Sequence, residues 1–178
     1  MIEAAISLMR TSGLDGARIN EIVRESGAPK GSVYHHFPQG KMQIAAEALD
    51  VYSIRVRDFM VAAMEGHRTS AARVRALFEA FALRVEEGNF ARSCAVGAVS
   101  LDLTPEVVAL RPRLAALLED WTETIASHVD LGDAHRTRSY AGLLLTAIEG
   151  AYVRCRAERS SRPFIEAGEW LATLANSR

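Results

Sequence analysis

The stretch from Tyr140 to Val153 (Tyr-Ala-Gly-Leu-Leu-Leu-Thr-Ala-Ile-Glu-Gly-Ala-Tyr-Val) constrains the fold more than any other part of the chain. Wound as a helix it is apolar around nearly its whole circumference, so it must bury two faces rather than one. One face can line the interior of its own domain, while the other needs a second partner. The small residues Ala141, Gly142, Ala147, Gly150 and Ala151 would let another helix approach closely. Two readings stay open: a central helix of a single-chain bundle, or a dimer seam. In the second, Ala147 and Ala151 share the seam with a final helix through Phe164, Trp170, Leu171 and Leu174. Glu149 interrupts the run, which falls short of the roughly 20 residues a spanning helix needs. A soluble, cytoplasmic protein with no membrane partner is expected. Met1 leads into an amphipathic segment carrying Glu3 and Arg10, which does not read as a signal peptide.

Helical punctuation continues through the chain. Ile2, Ala5, Ile6 and Met9 share one face of a first helix that Gly13 closes. Ile19, Ile22 and Val23 form a second stripe that stops at Gly27, where a cap takes the left-handed conformation. A third helix runs from about Pro29 to Phe37 and stops at Pro38; a long fourth runs from Gly40 to Met64. Thr69 and Ser70 can cap a fifth, with Val74, Leu77, Phe78, Phe81 and Val85 at helical spacing up to Gly88. Cys94 to Leu101 reads as a short buried helix or a strand. Thr104-Pro105-Glu106 predicts a helix start, with a kink or restart at Pro112 and an end near Val129. Two last helices are expected at about Asp133–Glu158 and Pro163–Asn176. No strand alternation or repeat appears, and the chain reads as all-α.

A formal net charge of -1 excludes a generally basic nucleic-acid binder, so any contact with DNA must come from a local patch. Ile19 to Lys41 supplies one. Two short helices flank Glu25-Ser26-Gly27-Ala28, the arrangement of a helix-turn-helix. From Pro29 to Lys41 there is no aspartate or glutamate, whereas Lys30, Ser32, Tyr34, His35, His36 and Lys41 all carry donors. A short, acid-free, donor-rich helix suits the major groove, where phosphates surround it and base edges offer acceptors. Gly31 permits close approach of the backbone. Adjacent His35 and His36 cannot face the same way on a helix, so they do not read as a metal pair.

The segment "INEIVRESGAPKGSVYHHFPQGK" resembles the DNA-binding signature of the TetR family of transcriptional repressors: Gly27, Gly31, Tyr34, His36, Phe37 and Lys41 fall at that family's spacing. The extra glycine of Phe37-Pro-Gln-Gly-Lys41, with Cys94-Ala-Val-Gly, is similar to the LmrA/YxaF-like branch. The resemblance implies a three-helix DNA-binding domain over residues 1–45 and a helical ligand-binding and dimerisation domain over 46–178. It further implies that Lys30, Ser32 and His35 face the groove, that Tyr34, His36 and Lys41 hold phosphates, and that Phe37 packs inward. Where the family usually has a capping Thr or Ser, this chain has Arg18. Arginine cannot cap that way, though its guanidinium can still reach the DNA backbone, and Glu21 remains as half of a capping box.

The implied partners are a palindromic double-stranded operator, a second copy of the chain and a small-molecule effector. In a family whose second domain encloses a cavity, Met60, Phe78, Phe81, Cys94, Trp121 and Leu144 occupy the stripes that would line it. So uncharged a lining suits an apolar, aromatic ligand, with Glu149 and Asn89 as the polar groups to watch. Taken singly, each of these residues reads as core. No cofactor, metal cluster, phosphate loop or nucleophile elbow is legible, and enzymatic activity is not expected. Two other functions stay open: a ligand-independent architectural DNA binder, and a redox sensor using Cys94. Cys94 and Cys155 form no disulfide framework, and Cys94 opens an apolar run rather than the cationic, solvated setting a sensing thiol needs.

Overall fold

Capping chemistry fixes where the helices begin and end. In this computed structural model, residues 1–105 and 107–175 are described; they contain helices and no strand, as expected of the all-α class. The elements are α1 (Ile2–Gly16), α2 (Ile19–Ser26), α3 (Val33–His36), α4 (Lys41–Met64), α5 (Ser70–Glu87), α6 (Ala95–Leu101), α7 (Arg111–Ala126), α8 (Ala134–Glu158) and α9 (Arg162–Ala175). Thr69 accepts from the Ala72 N–H at the start of α5, and Asp133 accepts from the Arg136 N–H at the start of α8. Each satisfies one of the donors a helix start leaves open.

Two expected boundaries move, and one open reading closes. The first helix is broken at Gly13 but resumes for one turn, to Gly16. The apolar run after Ser93 is helical, with Cys94 as its cap residue, which removes the strand reading. The helix expected from Thr104 starts only at Arg111, after a turn of 3₁₀ helix at Val108–Leu110. Pro112 therefore sits in the first turn of α7, where a missing N–H costs nothing. Glu106 of the expected start signal, and Asn176 at the expected end of the last helix, lie outside the described residues. No helix among the described residues is long and apolar enough to cross a membrane.

Packing divides the chain into two compact units, Met1–Arg55 with Ser93–Leu117 and Val56–Arg92 with Leu118–Arg178. In the first unit, α1 packs on α2 and α6. Its core includes Met9, Leu14, Ile22, Val33, Ile44 and Leu49, all nearly inaccessible. Glu3 takes both guanidinium arms of Arg55 at 2.7 and 2.5 Å. That contact pulls the Glu3 carboxyl below its usual range and pushes the Arg55 guanidinium above its own.

In the second unit, α9 packs on α5 and α8 around an aromatic cluster. Phe81 stacks on Phe164 at 5.7 Å, with Tyr152 edge-on to both rings and Phe78 edge-on to Phe164. Gly168 makes the close approach possible, since a Cβ there would lie 2.6 Å from the Cβ of Phe78. The Tyr140 hydroxyl donates to the Leu171 carbonyl at 2.5 Å, joining α8 to α9. Burial pushes that phenol up to about 12 and raises the Cys155 thiol.

Candidate nucleic-acid interface

The helix-turn-helix segment has an apolar inner face and a donor-bearing outer one. Ile22 of α2, Val33 of α3 and Phe37 just beyond it are buried. Gly27 ends α2 at φ 66° and ψ 9°, and the Ser26 hydroxyl accepts from the Ala28 N–H at 3.3 Å. The chain then makes a 3₁₀ turn at Lys30–Ser32 and continues into α3, so the expected third helix exists in two pieces, the first wound more tightly than the second. Ser32 is half-buried, and its hydroxyl donates to the Pro29 carbonyl at 2.7 Å, leaving the oxygen free to accept.

Lys30, Gly31, Tyr34, His35 and His36 are all exposed on this segment, Tyr34 to 61%. The rings of His35 and His36 meet edge to face at 4.9 Å, and no group of three metal-ligating side chains forms among the described residues. Lys41 is half-buried at the first residue of α4. The glycine before it is required: Gly40 has φ 61°, and a Cβ there would touch the Tyr34 ring at 3.4 Å. Exposed lysine, imidazole and phenol donors on a segment that carries no acid of its own make a surface that attracts phosphate and can donate to base edges.

Arg18 is the residue before α2 and makes no capping bond. Glu21 pairs with Arg24, so the half capping box is not used. Arg18 is exposed and borders an open groove of about 430 Å³ with Leu8, Ser12, Asp15, Gly16, Glu21 and Arg24. Sequence periodicity gave no sign of this groove because its walls come from two different helices.

The expected ligand-lining residues Met60, Phe78, Phe81, Cys94, Trp121 and Leu144 are all buried. Cys94 belongs to the first unit and the other five to the second. An open groove of about 340 Å³ in the second unit is lined by Phe59, Ala80, Leu83, Arg84 and Glu87, none of them among the six. Asn89 does not join an interior: it is exposed in the turn after α5, and its side-chain oxygen accepts from Arg159 at 2.9 Å. Cys94 is 3% exposed, and its Sγ accepts from the Gly97 N–H at 3.4 Å. It therefore lacks the solvent access a redox sensor needs.

The seam residues separate into two groups. Phe164 is fully buried within its own chain, and Ala151 and Leu171 are nearly so, because their side chains fill the interior shared by α8 and α9. Phe164 consequently has no surface to offer a partner. Ala147 is half-buried and Trp170 is 76% exposed. Leu143, Val153, Ile165 and Leu174 are exposed on the same two helices.

A glycine-turned pair of short helices presenting an acid-free row of donors is the hallmark of a helix-turn-helix DNA-binding protein. Comparison with known proteins makes this more specific. The family model for bacterial regulatory proteins of the tetR family matches residues 1–48, and that for the C-terminal domain of LmrA/YxaF-like transcriptional regulators matches residues 70–170. The chain belongs to the TetR family of DNA-binding transcriptional regulators, in its LmrA/YxaF-like branch. It is 28% identical to the HTH-type transcriptional regulator Rv0196 of Mycobacterium tuberculosis, over 92% of this chain and 86% of that one. It is 25% identical to the HTH-type transcriptional regulator LmrA of Bacillus subtilis, over 98% and 94%. Among solved structures, the TetR family regulator CifR in complex with double-strand operator DNA superposes with a TM-score of 0.84, at 20% identity, over 97% of this chain and 93% of that one.

Proposed function

We propose that this regulator is a homodimeric repressor that holds a palindromic operator and releases it when an apolar small molecule binds. The observation that carries the DNA half of this reading is the exposed, acid-free set Lys30, Tyr34, His35 and His36 standing on buried Val33 and Phe37. Lys30 and Ser32 read base edges, with His35 one turn on; Tyr34, His36, Lys41 and the guanidinium of Arg18 hold phosphates. Gly31 lets the backbone come close. CifR, which shares the fold, binds operator DNA in its solved complex.

Residues 1–45 carry the DNA-reading function and 46–178 the ligand and dimer functions. The compact units cut the chain differently because Ser93–Leu117 packs with the N-terminal helices. Exposed Leu143, Val153, Ile165, Trp170 and Leu174 support a dimer through the outer faces of α8 and α9, with half-buried Ala147 at its margin. A twofold dimer also places two recognition helices on half-sites about one helical turn apart, roughly 34 Å. The buried, uncharged side chains of Met60, Phe78, Phe81, Trp121 and Leu144 favour an aromatic or otherwise apolar effector.

The test is selection of duplexes from a random pool by the purified chain, with its mass measured free and bound. A palindromic site occupied by two chains is expected. A monomer on an asymmetric site removes the dimer. If no apolar aromatic compound weakens binding to the selected duplex, the ligand-independent architectural reading takes its place.

A further inference from the structure

Helix α1 is interrupted at Gly13, and both ends of α6 close over the interruption. In an unbroken helix the Leu14 N–H would donate to the Arg10 carbonyl. Gly13, at φ 67° and ψ -171°, pulls those two groups apart. Each has found a partner beside α6. The Arg10 carbonyl accepts from the Ser93 N–H at 2.8 Å and from the Ser93 hydroxyl at 3.0 Å. The Leu14 N–H donates to Asp102 Oδ2 at 2.6 Å. Arg10 returns a bond from its Nε to the Ser93 carbonyl at 3.0 Å, and its guanidinium lies 5.6 Å from the centre of the Tyr52 ring. A Cβ on Gly13 would collide with the Asp102 carboxylate, so the glycine and the acid are a matched pair.

The turn that follows the break, Leu14 to Gly16, leads through Ala17 and Arg18 directly into α2. The direction in which α2 and the recognition helix leave α1 is therefore set at the break. A straight α1 is the local alternative, since it needs no partner from α6 and only returns the Leu14 N–H to Arg10. Tertiary contact holds the bent form in place of the straight one.

We infer that Asp102 is a positioning residue for operator recognition: by capturing the Leu14 N–H it keeps α1 broken at Gly13 and so fixes the angle at which the helix-turn-helix meets DNA. The inference rests on the reading of Lys30 to Lys41 as the DNA face. Ser93 secures the other side of the break, and α6 is the brace between the two.

The experiment compares the full-length wild type with Asp102→Ala, Asp102→Asn, Gly13→Ala and the double variant Gly13→Ala/Asp102→Ala. Each is measured for Tm and for binding to the duplex that wild type selects from a random pool, alongside a scrambled duplex. Asp102→Ala and Gly13→Ala should each lower the selected-to-scrambled preference roughly 10- to 100-fold, the scale of losing a hydrogen bond to a charged group. Binding to the scrambled duplex, driven by phosphate charge, should change by no more than about twofold. Asp102→Asn keeps an oxygen acceptor and should restore most of the preference. In the double variant the added methyl group meets no carboxylate and α1 can run straight, so Tm should rise above that of Gly13→Ala while the preference stays lost. Single variants that lose Tm but keep the preference would overturn the inference. So would a double variant that binds the selected duplex like wild type, or one that melts no higher than Gly13→Ala. A wild type with no preference for any duplex would overturn the reading of the DNA face, and this inference with it.

Discussion

Lys30 and Lys41 belong to one acid-free segment yet face different chemistry. Lys30 is exposed at the start of the recognition segment, while Lys41 is half-buried at the head of α4, where helix N–H groups already favour an anion. Lys30→Ala should cost about 1–3 kcal/mol on the true operator and relax discrimination at one base step. Lys41→Ala should weaken all sequences alike and lower the salt slope by about one. Fluorescence titration on specific and scrambled duplexes at several salt concentrations separates them, and identical behaviour would undo the assignment of roles. Tyr140 supplies a second residue-scale prediction. Its phenol titrates near 10 when unfolded and about 12 in the fold, because burial disfavours the charged form. The stability this contributes is whole below pH 10 and is lost as pH rises through 12. Urea unfolding at a series of alkaline pH values should show that loss. Tyr140→Phe should flatten it, at a cost of roughly 1 kcal/mol for the missing bond to Leu171. An unchanged pH slope would mean the phenol does not control it.

Among the elements, α8 and α9 are the most exposed to test. Gly168 packs so closely on Phe78 that Gly168→Ala should destabilise the chain by about 1–3 kcal/mol despite the better helix propensity of alanine. Thermal melting decides, and a variant as stable as wild type would mean that α9 can shift away from α5 at no cost. On the outer face, Leu143→Arg should split the dimer while leaving each chain folded, because Leu143 is 47% exposed in the single chain and becomes a buried unpaired charge only when a partner covers it. Light scattering reads the mass and circular dichroism the fold. A folded, dimeric Leu143→Arg variant moves the seam elsewhere. Ala151 is no use for this test, since it is buried inside its own chain and arginine there would disturb the fold itself.

For the whole molecule the question is coupling. A ligand that prefers the form of the regulator that DNA disfavours must weaken DNA binding by the factor by which DNA weakens ligand binding. With a coupling of about 1–3 kcal/mol, an inducing aromatic compound should reduce operator affinity roughly 5- to 150-fold. The reciprocal measurement, affinity for that compound with and without operator, must return the same factor. A compound competing for the DNA face would weaken operator binding without limit as its concentration rises, whereas one acting through the second unit levels off at that factor. Trp121, fully buried in the second unit, gives the companion variant: Trp121→Ala should blunt the response to the compound and leave ligand-free operator binding nearly intact.

Local rules in the sequence carried the helical class, the capping of α5 by Thr69, a helix start near Asp133, the glycine stop at Gly27 and the donor-rich segment from Lys30 to Lys41. Capping, helical periodicity and glycine turns act within a few residues, so they can be read from order alone. The apolar run from Tyr140 to Val153 likewise marked a helix, one face of which is buried within the chain. What order could not settle was which side chains each face would bury. Phe164 and Trp170 lie six positions apart on one helix; the first sits inside the aromatic cluster and the second is open, a choice made by the approach of α5 and α8. Asn89 looked like a pocket group until Arg159 claimed it from 70 residues away. The break in α1 depends on Asp102, 88 residues further along, and no local pattern pairs a glycine in one helix with an acid at the end of another. Sequence alone thus determined the elements and the chemistry of the recognition segment. Tertiary contacts, which join residues distant in the chain, decided which faces are closed and the angle at which the reading helices are held.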